Sequence, residues 1–368
     1  MDLDLVILLI NVYAMRILSA ILVFISFVCC GCSDFLIPKR SAITMSINMD
    51  GMGLEVDSST KGGDGMVSAN PYTGTPSGNN PLAVGLWYSY SPGTYSHNPE
   101  APQYIPCITS AVYNSTGSID IRTGSNILQY PVPADKNYSS TNDGNVYCIG
   151  FYPNSGWSQP DPVTNVATST NHIINGIEDL MFADQMVGSY TANFEAQTFS
   201  HVLTWVKINL SATSISAADV WGKVTELEIV SPNSNVQVDF SQNAAESSVV
   251  GYTGDPVVFP LRLSYEKLGV TSKTYGQAFC SPPAVNSSGK LGYTVNVKTE
   301  TMDVAEEVFV ELKKEDGYTE VTDPAYAKGK LFIINLYFNE VSVIEGICTI
   351  KQWDDQSSEL YFDDKNEN

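Results

Sequence analysis

Apolar residues recur at every second position along most of this chain, and that period predicts strands rather than helices. Ile43, Met45, Ile47 and Met49 alternate with polar residues, and Leu82, Val84 and Leu86 repeat the pattern. Val146 to Tyr152 is an unbroken apolar run closed by Pro153-Asn154, which predicts a strand buried on both faces and then a turn. Phe199 to Leu210 reads as one strong strand, with Val202, Val206, Ile208 and Leu210 on one face. Ser211 to Asp219 is small and polar and marks a break, and Val220 to Val230 begins a new strand. Beyond it lie Val236/Val238/Phe240, Val257 to Leu263, Tyr293/Val295/Val297, Val308 to Leu312, Leu331 to Phe338 and Ile344 to Trp353. Convincing helices are few and no internal repeat is evident, so the chain is predicted to be all-β and built of sandwiches.

The 368 residues correspond to two domains at about 150 residues each. The break near Thr213 divides them into 32–213 and 214–368. Asp57 to Asn70, with Ser-Ser-Thr-Lys-Gly-Gly-Asp-Gly, holds no regular element and reads as a flexible loop. The last residues, Asp354 to Asn368, are acidic apart from Leu360-Tyr361-Phe362.

The first residues change the picture. Leu5 to Gly31 is nearly all apolar and long enough to span a bilayer. Yet Met15-Arg16, the apolar stretch Ile17 to Val28, and Gly31-Cys32 have the order of a short signal peptide occupying residues 1–31. The small Gly31 before Cys32 fits lipoprotein processing, in which Cys32 is acylated and becomes the new N-terminus. Asp2 and Asp4 do not suit a positive leader, so translation is expected to start at Met15. Acyl chains contribute ~0.8 kcal/mol per buried methylene, enough when several are present to hold a protein on a membrane.

Nineteen basic against forty acidic residues give a net charge of −21, which repels nucleic acid and anionic lipid headgroups as primary partners. The apolar share, 43%, suffices for a core and argues against a disordered acidic chain. Of the seven cysteines, Cys107, Cys148, Cys280 and Cys348 remain once Cys29, Cys30 and Cys32 are assigned to the leader. They show no CxxC and no metal spacing. They fit equally one disulfide in each half, Cys107–Cys148 and Cys280–Cys348, or four buried thiols.

Nothing selects a catalytic centre. His97, His172 and His201 lie in no GxSxG, HExxH or Cys–His arrangement, and His201 reads as a packed, hydrogen-bonded strand residue. Asp135, Asn137, Ser139, Thr141 and Asp143 alternate oxygens but lack the Gly and bidentate Glu of a calcium loop. No cofactor or metal is expected. Trp87, Tyr88 and Tyr90 could stack on sugars, although their place in strands favours core packing.

An ordered set of landmarks runs along the chain. It comprises Cys32, the alternation Ile43 to Met49, Val146-Tyr147-Cys148-Ile149-Gly150-Phe151-Tyr152-Pro153 and Asp179-Leu180-Met181-Phe182-Ala183. Phe199-Ser200-His201-Val202-Leu203, Lys328-Gly329-Lys330 and Ile350-Lys351-Gln352-Trp353 follow. In this order they resemble the fimbrillins, the shaft, tip and anchor subunits of type V pili. The resemblance implies two transthyretin-like β-sandwich domains and a precursor exported as a surface-exposed outer-membrane lipoprotein. It also implies other fimbrillin subunits and a processing protease as partners.

In that family a protease cuts the loop after the first strand, and a neighbour's C-terminal strand replaces the strand removed. Here the excised strand corresponds to Ala42 to Met49 with Ile43, Met45, Ile47 and Met49 as its core, and the cut to Lys61. The donor region corresponds to Ile350, Trp353 and Tyr361. The family's cut follows an Arg, whereas no Arg occurs between Arg40 and Arg122 here. Four buried apolar side chains at ~1.5–3 kcal/mol each make such a strand worth roughly 6–12 kcal/mol, on the scale of a whole domain's stability. A groove so emptied must be refilled by β-augmentation. The expected function is that of a pilus subunit, against the rival of a lipid-anchored glycan-binding protein.

Overall fold

The computed structural model describes residues 82–96, 144–158, 166–189, 191–243, 245–261, 267–314, 319–340 and 344–350. It also gives the strand backbone at 44–45, 47–49, 108–112, 119–120, 122–123, 126–127 and 351–352. The chain is all-β, as its periodicity predicts.

The earliest strands are β1 (Thr44–Met45), β2 (Ile47–Met49), β3 (Leu82–Ser89), β4 (Tyr95–Ser96) and β5 (Ile108–Val112). Then come β6 (Ile119–Asp120), β7 (Arg122–Thr123), β8 (Asn126–Ile127), β9 (Val146–Tyr152), β10 (Val166–Ala167) and β11 (Ser169–Ile173). β12 (Met181–Gly188), β13 (Gln197–His201) and β14 (Thr204–Ala212) lead to helix α1 (Ile215–Trp221). β15 (Val224–Ser231), β16 (Asn235–Asp239), β17 (Val249–Thr253), β18 (Val257–Pro260) and β19 (Lys273–Cys280) follow. The chain closes with β20 (Ala284–Val285), β21 (Leu291–Thr299), β22 (Glu306–Glu311), β23 (Lys330–Phe338) and β24 (Ile344–Gln352).

Among the described residues the largest sheet has six strands in the order β2-β13-β12-β9-β3-β5. β9 is central and antiparallel to both β12 and β3, and its run Val146 to Phe151 is buried on both faces. One face gathers Leu82, Val84, Leu86, Tyr88, Val146, Cys148, Met181, Ala183 and Phe199. The other turns Trp87, Phe151 and Phe182 toward Tyr95, Trp157 and Phe240, whose rings meet tilted or edge to face. Phe240 follows β16 in the sheet β11-β16-β17, which joins a strand from before residue 200 to two from after it.

The second half packs a four-stranded sheet, β19-β14-β23-β24, against a five-stranded one made of β18, β15, β21, β20 and β22. Val206, Ile208 and Leu210 share the interior with Phe332, Ile334 and Leu336, and with Leu227, Ile229, Val295 and Val297 from the facing sheet. β14 and β23 run parallel over eight register pairs, and β24 links the two sheets where Leu312 bridges Cys348.

Three sequence expectations are altered. The run Phe199 to Leu210 is two strands, not one, and the chain changes sheet at Val202-Leu203. The cause is a one-residue phase slip: Phe199 and His201 face one way on odd positions, whereas Val206, Ile208 and Leu210 hold the even ones. Val202 and Leu203 are buried, and three of their backbone groups have partners. The Val202 N–H donates to the Leu180 carbonyl at 2.9 Å, the Tyr252 hydroxyl donates to the Val202 carbonyl, and the Gly329 N–H donates to the Leu203 carbonyl at 2.9 Å.

The small polar break after Ser211 contains helix α1. Ser214 caps it through the Ala217 N–H at 3.0 Å, and Gly222 ends it at φ +71°. Ala217, Ala218 and Trp221 are its buried side, and the Trp221 indole N–H donates to the Asn339 carbonyl at 2.7 Å.

The alternation Ile43 to Met49 is divided between two partners. β1 pairs antiparallel with β6, and β2 pairs parallel with β13. Alternation marks a strand but does not select the neighbour that each part bonds to.

Candidate functional site

The region that the sequence singles out is the β2 edge of the six-stranded sheet, together with the C-terminal strand. β2 is the earliest strand of that sheet and stands at its margin. It meets β13 in parallel register, with Ile47 opposite Gln197, Asn48 opposite Thr198 and Met49 opposite Phe199. Beyond Phe199, β13 bonds instead to β12, where Ser200 faces Phe182 and His201 faces Met181. Among the described residues the two partners of β13 therefore share its length, and β2 alone pairs with its first three residues.

β13 offers β2 a well-fixed flank. Phe199 is fully buried and lies across Gly150 of β9, where an added Cβ would come within 2.5 Å of its ring. Gln197 is buried too. Its amide Nε2 donates to the Cys148 carbonyl at 3.4 Å and the Asp184 carbonyl at 3.3 Å, tying β13 to β9 and β12. At the far end His201 and Asp179 are both buried, with Nδ1 2.9 Å from Oδ2 and 3.1 Å from Oδ1. His201 is thus the packed, hydrogen-bonded histidine that its strand position predicts. His172 is likewise buried, its Nδ1 2.7 Å from the Ile173 carbonyl and its ring edge-on to Trp157.

β24 pairs with β23 over nine register positions, from Phe338 opposite Ile344 to Lys330 opposite Gln352. Ile344, Cys348 and Ile350 are buried in the chain's own core. Ile350 is therefore an integral residue of the second half. The other proposed site residues, Cys32, Ile43, Lys61, Trp353 and Tyr361, lie outside the described residues. For Met45, Ile47 and Met49 the backbone is described.

Between the two readings of the cysteines, Cys148, Cys280 and Cys348 are buried free thiols. Cys280 is on β19 and Cys348 on β24, the two margins of one four-stranded sheet. Three interstrand spacings of ~4.8 Å separate those strands, well beyond the Cα span of a disulfide. Burial pushes both thiols up from an ordinary value of 9.0. Cys107 lies outside the described residues.

Among the described residues no group of three His, Cys, Asp or Glu side chains is placed to hold a metal ion. No helix among them is long and apolar enough to cross a membrane. None of the described Trp, Tyr or Phe side chains is exposed; all are buried or half-buried. The feature that the sequence pattern did not reveal is the crossing at Val202-Leu203, and the apolar pair itself, set at a change of phase, was its only trace.

No family model matches the chain, and no curated protein does. Solved structures do. A candidate cell adhesion protein of Bacteroides uniformis is similar at 14% identity, covering 86% of this chain and 99% of that one, with a TM-score of 0.47. A candidate adhesin of Bacteroides thetaiotaomicron is similar at 10% identity, over 86% and 98%, with a TM-score of 0.44. A fimbrial protein of Bacteroides vulgatus is similar at 13% identity, over 73% and 92%, with a TM-score of 0.33.

Proposed function

We propose that this chain is a non-catalytic structural and adhesive subunit of a cell-surface pilus, assembled with other fimbrillin subunits by strand exchange. In this reading two transthyretin-like domains follow a lipoprotein signal, with β14 belonging to the sheet of the second, and Cys32 carries the lipid that holds the precursor on the outer membrane. A protease cuts near Lys61 and frees the strand that contains Ile47 and Met49. A C-terminal segment of a neighbour, with Trp353 and Tyr361, takes its place.

The observation that supports this reading is the position of β2. β2, the earliest strand of the six-stranded sheet, sits at its margin, and its loss would strip the first three residues of β13 of the one ladder partner they have there among the described residues. A bare edge beside the buried Phe199 invites another strand, because unpaired N–H and C=O groups are a template for β-augmentation. The rival reading, a glycan-binding lipoprotein, needs exposed aromatic platforms; the described aromatics are buried or half-buried.

The test is to cleave the purified precursor in 58–65 and follow it by mass spectrometry, size-exclusion chromatography and electron microscopy. Loss of the first strand with growth of polymers is expected. Cut protein that sheds its first strand and persists as a folded monomer would remove strand exchange and favour the glycan-binding reading.

A further inference from the structure

We propose that β11 is a strap that locks the strands before Val202 and those after it into one folding unit, so that neither part unfolds or turns while the strap is paired. The strap holds whether or not the subunit assembles by strand exchange.

β11 belongs to the early part by sequence and to the late part by pairing. It runs antiparallel to β16 over five register pairs, from Ser169 opposite Asp239 to Ile173 opposite Asn235, and β17 continues the sheet beyond β16. Two further bonds lengthen the ladder: the Phe240 N–H donates to the Thr168 carbonyl at 2.9 Å, and the Ile174 N–H donates to the Ser234 carbonyl at 2.8 Å. These end bonds fix the phase, so that Thr170 and His172, at even positions, exchange backbone bonds with Val238 and Val236. Asn171, at an odd position, turns its backbone the other way. Its carbonyl accepts from the Ser158 N–H at 2.8 Å and its N–H donates to the Ser158 hydroxyl at 2.9 Å, while the Thr170 hydroxyl donates to the Ser158 carbonyl at 2.9 Å. β11 is thus bonded on one edge to the segment that follows β9 and on the other to β16.

Side chains secure what the backbone joins. Thr170 and His172 face inward beside Val238 and Val236, all four buried, while Ser169, Asn171 and Ile173 are exposed on the other face. The His172 ring meets Trp157 edge-on at 5.1 Å. Just past β16, the Phe240 ring lies among Trp87, Tyr95 and Phe151 of the early part, with centroids 6.1, 5.3 and 6.2 Å away. Three bonds outside the strap join the same two parts. The Ser248 N–H donates to the Asp184 carboxylate at 3.1 Å, the Gln242 amide to the Gly93 carbonyl at 2.6 Å, and the Phe279 N–H to the Gly176 carbonyl at 2.9 Å.

Domains that meet through a linker and a modest polar contact move, and unfold, separately by default. A shared ladder removes that freedom. Opening either part first would strand the buried Val236, Val238 and Phe240 in water and leave buried ladder groups unpaired. Partial unfolding then exposes core on both sides of the crossing, and the lowest route to any large opening is the opening of the whole. The strap makes a rigid subunit out of two sandwiches.

The test is urea unfolding of the full chain, read by pulsed hydrogen exchange and mass spectrometry at Val146–Tyr152 for the early part and at Leu291–Thr299 for the late part. In the wild type the two midpoints should agree within about 0.2 M. Thr170→Pro removes the N–H that bonds to Val238, and in protein shown to be folded by circular dichroism the midpoints should separate by about 1 M. Asn171 and Gln237 are opposite in register, so Asn171→Cys with Gln237→Cys, oxidised, staples the strap. The staple should raise both midpoints by the same amount, and it decides the matter even where Thr170→Pro fails to fold. Two midpoints in the wild type, or a staple that raises only one part, would overturn the proposal. A folded Thr170→Pro protein whose parts still unfold together would overturn it equally, because the coupling would then lie outside the strap.

Discussion

The ring of Phe199 on β13 rests on Gly150 of β9, at a distance that leaves no room for a side chain at 150. An added Cβ would stand 2.5 Å from the ring and 3.2 Å from the Ala183 Cβ. Gly150→Ala should therefore force Phe199 and Ala183 apart and destabilise the protein by about 1–3 kcal/mol, as overpacking does. Urea unfolding measures it. An unchanged midpoint would mean that the six-stranded sheet is looser here than the contact requires.

Phe199→Ala tests the same contact from the other side. It removes a fully buried ring and should cost about 3–5 kcal/mol. It should also leave β2 a poorer flank, so protease cutting in 57–70 should accelerate more than cutting elsewhere. Uniform acceleration would mean that β13 and β2 are not coupled locally.

Much of this arrangement is legible in the sequence, and what is missing has a common cause. Val146 to Tyr152 is a strand at the expected place because its apolar run is unbroken and closed by Pro153-Asn154, and Leu331 to Phe338 and Ile344 to Gln352 are strands where their apolar positions predict them. The place of His201 in a packed strand follows in the same way. What period cannot show is partnership. Nothing in Ile43 to Met49 shows that its two parts pair with Ile119-Asp120 and with Gln197–Phe199, and nothing in Thr204–Ala212 selects the distant Lys330–Phe338 as its parallel neighbour. Helix α1 escaped notice because seven residues are too few for a helical period to stand out, although Ser214 and Gly222 bracket it with the usual capping types.

The buried phenols and thiols set an alkaline limit. Burial raises Tyr252 and Tyr293 above 10.0 and Cys280 and Cys348 above 9.0. A raised folded-state pKa means that the unfolded chain loses its proton first. Stability from these groups is therefore intact below pH ~9 and falls as pH climbs through the ordinary thiol and phenol values, by up to ~1.4 kcal/mol per pH unit for each group in its window. Denaturant midpoints from pH 7 to 11 should be flat, then decline. Cys348→Ala should lessen the decline just above pH 9, where thiols titrate; an identical profile would mean that this thiol does not contribute.

The Tyr252 hydroxyl closes the sheet crossing by donating to the Val202 carbonyl. Tyr252→Phe leaves that carbonyl without its donor and should cost about 1–3 kcal/mol. Hydrogen exchange should quicken first at Val202 and Leu203, because the crossing is held by single bonds rather than by a ladder. Faster exchange spread evenly over β14 would show that the crossing is not the weak point.

Two C-terminal truncations separate what this chain uses itself from what it could donate. Removal of 344–368 deletes β24, with its nine register pairs and the buried Ile344, Cys348 and Ile350. Three such side chains at ~1.5–3 kcal/mol each approach the whole ~5–15 kcal/mol stability of a domain, so this protein should be unfolded or aggregated. Removal of 353–368 spares every one of those contacts and should leave thermal unfolding nearly unchanged. If strand exchange operates, the shorter truncation should still lose its first strand on cleavage and still accept a strand from intact subunits, yet donate none. Mixed with intact cut protein, it should cap polymers and shorten them in proportion to its share, as seen by electron microscopy. A folded truncation that polymerises alone would place the donor elsewhere in the chain.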